Sequence, residues 1–163
     1  MHNVTRQVEI GVRLTSNPAS LGKLMATTVS CGSEVLASSC HWDHAGAVVK
    51  LVTEDGPRTT RALEAAGFKC KSNPVVLVEM PDQPGLAALL GGKLTAAGID
   101  VLYSYSLRSE RDRAYVVFKT TNDTRAIYML ELNVLINDLA AARNWHRPVE
   151  ADVEELQTAG QAA

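Results

Sequence analysis

The first half of this 163-residue chain recurs in the second half at a fixed offset of 66 positions. That shift sets Pro18 on Pro84, Leu24 on Leu90, Gly32 on Gly98, Val35 on Val101, Leu36 on Leu102 and Ser38 on Ser104 without a gap. It also carries apolar strand positions along, Leu14 with Met80, Leu51 with Val117 and Val52 with Phe118. A period of this length is a small domain, not a solenoid unit. The sequence therefore predicts two like modules, over residues 4–73 and 74–137, followed by a C-terminal helix and polar tail over 138–163.

In the first module, Val8, Ile10, Val12 and Leu14 alternate with Glu9, Gly11 and Arg13, the period of a half-buried strand. Ser16-Asn17-Pro18 breaks that strand and opens a helix, with Pro18 at its tolerated first position. Leu21, Leu24, Met25, Thr28 and Val29 recur at helical spacing down to Gly32, which suits the left-handed end of a helix. A second strand over 34–40, a hairpin, a third strand over 47–52, a helix over 58–66 and a fourth strand over 68–71 follow. Ser72-Asn73-Pro74 reads as a short junction.

That succession is the split β-α-β order of ferredoxin-like folds, an α+β class with helices on one face of a four-stranded antiparallel sheet. The other sheet face, or its edge, is left for a partner. The second module repeats the order through Lys119, with Thr121-Asn122-Asp123 capping its second helix. From Ala126 to Ala142 apolar residues occur all around a helical wheel, and a uniform helix there needs burial on every side. The reading is a short helix to about Glu131, a fourth strand over 132–136 and a terminal helix from Asp138. The tail over 148–163 is polar and alanine-rich.

The segment from Val75 to Lys119 resembles the ACT domain, a small regulatory module whose members mostly bind amino acids. Three signals carry the resemblance in order: the turn Asp82-Gln83-Pro84-Gly85-Leu86, the apolar helix spacing after it, and the exit Ala97-Gly98-Ile99-Asp100-Val101. With the repeat, it implies two ACT-like modules in tandem, with ligands at the strand-to-helix turns. There Gly85 allows close backbone approach, Pro84 fixes the turn, and the free N–H groups opening the helix suit a carboxylate. The alternative is that Asp82 merely caps the helix and Gly85 merely satisfies the turn. The first-module counterpart is Asn17-Pro18-Ala19-Ser20-Leu21, which lacks the glycine.

The family often has Asn where strand two begins; here the position is Asp100, and its partner at the same offset is Glu34. A carboxylate cannot donate to a ligand carboxylate but pairs with an ammonium. Both residues therefore suit a ligand amino group or a basic amino acid, or else are solvated strand-edge charges.

A chain 46% hydrophobic and 21% charged can bury one sizeable core or two small ones. Its net charge of -2 supplies no general pull toward nucleic acid or an anionic membrane. The N-terminus lacks a signal-peptide apolar run, and no stretch approaches the ~20 apolar residues of a membrane span, so a cytoplasmic location is expected. Cys31, Cys40 and Cys70 form no Cys-x-x-Cys pair and read as small apolar filler.

Cys40-His41-Trp42-Asp43-His44 is the one concentration of metal-capable side chains. On a hairpin tip its neighbours diverge, so it reads as a surface loop with Trp42 as a contact residue, and no metal or cofactor is expected. No nucleophile elbow, phosphate loop or dinucleotide fingerprint is present. Nor is the aromatic pattern of an RNA-binding sheet; Tyr103 and Tyr105 read as packing or interface residues. The expectation is a non-enzymatic regulatory protein that binds an amino acid or similar small metabolite. It is expected to form a homodimer and to act on an enzyme of amino-acid metabolism. The alternative is an interaction module with vestigial ligand sites.

Overall fold

The structure, a computed structural model, describes residues 3–14, 18–109 and 112–136. Its elements run β1 (Asn3–Leu14), α1 (Pro18–Ser30), β2 (Val35–Asp43), β3 (Gly46–Thr53), α2 (Gly56–Ala65), β4 (Cys70–Pro81), α3 (Leu86–Ala96), β5 (Val101–Arg108), β6 (Arg113–Thr120) and α4 (Asp123–Ile136). Six antiparallel strands form one sheet in the order β2-β3-β1-β4-β6-β5. It is an α+β fold of two ferredoxin-like modules, but they share their central strands.

Each half needs four strands, and β1 and β4 each serve both. Residues Ile10 to Leu14 pair with β3 and form the first strand of the first module. Asn3 to Gln7 continue past that module and pair with Glu79 to Val75, filling the fourth-strand position of the second. In return, Cys70 to Asn73 pair with Val12 to Glu9 and complete the first module before β4 continues into the second. Val8 pairs with Pro74, its own equivalent at the offset of 66, so a local two-fold axis passes between them.

Two expectations are thereby corrected. Ser72-Asn73-Pro74 is no junction but lies inside β4. The Pro74 carbonyl accepts from Lys119 Nζ at 2.9 Å, so this residue's peptide groups point away from β1 and its missing N–H falls on an unpaired edge. Residues 132–136 are not a strand, because α4 runs through Ile136 and the place beside β4 is taken by the start of β1. The terminal helix and tail expected beyond Asp138 lie outside the described residues.

Strand alternation puts all four helices on one sheet face. Ile10, Val12, Leu14, Ala47, Val49 and Leu51 pack with Leu24 of α1 and Leu63 of α2. Val4, Val76, Val78, Met80, Val116 and Phe118 pack with Leu86, Leu90 and Leu94 of α3 and Ala126 and Leu130 of α4. Full burial of each such leucine contributes about 1.5–3 kcal/mol.

The repeat is real but slips by one residue after the second strand. Leu51 occupies the place of Phe118, not Val117, since Leu51 and Phe118 both face the helices while Val52 and Val117 face away. The slipped spacing of 67 also pairs the helix caps, where Asp55 Oδ1 accepts from Arg58 N at 2.9 Å and Asn122 Oδ1 accepts from Arg125 N at 3.0 Å. Before the slip, β2 and β5 carry a register shift at equivalent places, between Val35 and Ala37 and between Val101 and Tyr103.

The helix-free face is not left open for a partner. The sheet coils so that its two ends meet across it, burying Ala37 and Val52 against Val75, Leu77 and Val117, with Tyr105 and Tyr115 packed alongside. This closure positions the candidate site.

A candidate ligand cavity between the two modules

At one end of that closed face, the start of β2 meets the β5–β6 hairpin around a cavity of about 370 Å³. Glu34 and Val35 come from the first module, and Leu107, Arg108, Ser109, Arg113 and Tyr115 from the second. Arg108 Nε lies 3.1 Å from Asp82 Oδ2, and Arg113 is ion-paired with Glu79. Glu34 makes no ion pair with another described residue. Its carbonyl is fixed by Glu54 N at 2.9 Å, so the backbone beneath the carboxylate is anchored. Two arginines and a glutamate thus line a space large enough for a small zwitterion.

Of the expected site residues, the structure brings Glu34 and Asp82 to this place, Asp82 through Arg108. Asp82 does not cap α3, whose N-cap Gly85 has no side-chain cap bond. Gly85 adopts φ 82°, a left-handed conformation that disfavours a side chain. Gln83, Pro84 and Gly85 form the turn that follows Asp82, while Leu86 is buried in the core. Asp100 lies at the opposite end of α3 and β5 from Gly85, bonded through its backbone to Thr121. Gly85 and Asp100 therefore do not face one ligand within a module. In the first module Asn17 lies outside the described residues, Pro18 opens α1, Ala19 is exposed, Ser20 is half-buried, and Leu21 packs on the core.

The arginines escaped the sequence reading. Their signal was the charged interruption Arg108 to Arg113 between two apolar runs, whose role depends on folding the second hairpin against the first module.

A second polar constellation sits in the middle of the closed face. Glu9 is fully buried, and its two oxygens accept separately from Tyr103 Oη at 2.8 Å and Tyr105 Oη at 2.9 Å. Lys50 Nζ lies 3.9 Å from Glu9 Oε1 and 3.0 Å from the Tyr103 ring centroid. Burial, with the Glu9 charge and hydrogen bonds adding to it, pushes both phenols well above the ordinary tyrosine range. Burial lowers the Lys50 ammonium despite the opposing pull of Glu9. The tyrosine pair thus faces inward rather than toward a second copy. Among the described residues no group of three or more His, Cys, Asp or Glu side chains could hold a metal ion. Asp43 of the hairpin instead pairs with Arg13 at 2.6 Å, and Trp42 is exposed.

The same architecture occurs in solved structures. Protein BT0572 from Bacteroides thetaiotaomicron superposes with a TM-score of 0.65 at 22% identity, over 81% of this chain and 90% of that one. The ligand-free regulatory subunit of aspartate kinase from Thermus thermophilus gives 0.56 at 13% identity, over 80% and 95%. That from Thermus flavus gives 0.53 at 15% identity, over 80% and 95%. At these identities the likeness establishes the fold. No family model and no curated protein matches the chain. None of the described helices is long and apolar enough to cross a membrane.

Proposed function

We propose that this chain is a non-catalytic regulatory protein of two ACT-like modules, about residues 4–73 and 74–137, that binds an amino acid in the cavity between them. The observation that carries this reading is the mixed lining of that cavity, with Glu34 from one module and Arg108 and Arg113 from the other. A ligand ammonium would pair with Glu34, and its carboxylate with the guanidinium groups. Because the two ends of the ligand touch different modules, occupancy favours one arrangement of the modules over another. The fold shared with aspartate kinase regulatory subunits supports a partner enzyme in amino-acid metabolism.

Thermal-shift screening of the proteinogenic amino acids, followed by calorimetry, tests this. A ligand at 100 times its dissociation constant should stabilise the protein by about 2.7 kcal/mol. Glu34→Gln should then weaken it at least tenfold, since a charge-assisted bond contributes about 1.5–3 kcal/mol. Silence across the panel, or unchanged affinity in Glu34→Gln, overturns the assignment.

The β5 edge supports self-association. It is free of charge from Val101 to Leu107, and Leu102 is 59% exposed. Light scattering is expected to give twice 17.5 kDa, and a constant monomer mass at micromolar concentration would contradict a homodimer.

A further inference from the structure

The two-fold relation makes Glu9 conspicuous. Its equivalent in the second module is Val75, which is buried in the apolar closure. The equivalents of Tyr103 and Tyr105 are Ala37 and Ser39. A charge with two phenols reaching it therefore occurs once in this otherwise repeated scaffold.

We propose that Glu9, gripped by Tyr103 and Tyr105, is a latch that positions β5 across the closed face and thereby sets the gap of the cavity between Glu34 and the arginines. The connection is short. Tyr103 and Tyr105 project from the same strand that carries Leu107 and Arg108 into the cavity. Glu9 lies on β1, which is laddered to β3 through Ile10↔Leu51, and β3 in turn holds β2, whose start bears Glu34 and Val35. Each cavity wall is thus fastened to one side of the latch.

The apolar contacts around it, Ala37 and Val52 on Val75, Leu77 and Val117, resist opening but have little directional preference. Hydrogen bonds from two phenols to separate oxygens of one carboxylate fix both distance and register. Glu9 touches neither Glu34 nor the cavity arginines in any described contact and is a positioning residue.

The inference rests on the amino-acid reading for its ligand consequence, but its geometry is testable without ligand. Two variants are needed. Glu9→Gln keeps the shape and removes the charge; Glu9→Leu with Tyr103→Phe and Tyr105→Phe removes the whole hydrogen-bonded unit and leaves an apolar filling that folds. In the ligand-free full chain, amide hydrogen exchange at Val35 and across Leu107 to Ser109 should quicken about tenfold or more in both variants. Exchange in the paired centres of β1 and β4 should stay as in the native protein. Any amino acid from the panel that binds the native chain should bind both variants about tenfold more weakly. Unchanged exchange at the cavity walls overturns the latch. Faster exchange with unchanged affinity overturns its positioning role. If walls loosen and no amino acid binds even the native protein, the latch stands and the amino-acid reading fails.

Discussion

Deleting residues 1–8 is expected to unfold the second half of the molecule, although those residues lie at the far end of the sequence from it. Asn3 to Gln7 supply the strand beside Val75 to Glu79, and Val4 is buried in the core beneath α3 and α4. Their removal strips the ladder from one edge of β4 and opens that core. A handful of ladder bonds at about 1 kcal/mol net each, with roughly 1.5–3 kcal/mol for Val4, gives a loss on the order of 5 kcal/mol. That is comparable to the whole stability of a small domain, about 5–15 kcal/mol. The first module keeps Ile10 to Leu14 and its pairing with β3. Amide spectra should thus lose the β5, β6 and α4 signals before those of β3 and α2, and a synthetic peptide of residues 1–8 should restore them in part. A truncated chain with native melting temperature and intact second-module signals would refute the strand sharing.

The sequence made the elements legible and hid how they are shared. Alternation from Val8 to Leu14 is strong, but Asn3 to Gln7 is too polar to announce a strand, and its partner is some 70 positions away. Ser72-Asn73-Pro74 has turn composition, and only the location of Pro74 on an unpaired edge explains why β4 continues through it. With the fourth place already filled, residues 132–136 had no strand to complete and remained helical. At the candidate cavity, the repeat pointed to Glu34 and the ACT-like motif to the turn that begins at Asp82. Neither revealed that Glu34 meets the hairpin of the other module, because a local pattern does not encode the coiling of the sheet. Glu9 read as an outward polar residue of an amphipathic strand, which it is within its own module. It becomes buried because the second module closes over it.

Glu9→Ala is expected to cost about 3–5 kcal/mol, because two phenol hydroxyls are left without their acceptor over the space of a fully buried side chain. Both phenols lose their acceptor and the Lys50 ammonium its ion-pair partner, and the carboxylate leaves its space at a fully buried position. Cavity and desolvation terms then act together. Replacing the whole unit, Glu9→Leu with Tyr103→Phe and Tyr105→Phe, should instead lie within about 1.5 kcal/mol of the native protein, since volume is nearly conserved and no buried hydroxyl is left unpaired. Lys50 keeps an aromatic face beneath it and is partly exposed, with its side chain 18% accessible, so its charge is not stranded. Urea denaturation of the native, single and triple variants measures the difference directly. A Glu9→Ala loss below about 1 kcal/mol, or a triple variant as unstable as the single one, would mean that the carboxylate is hydrated and does not tie the modules together.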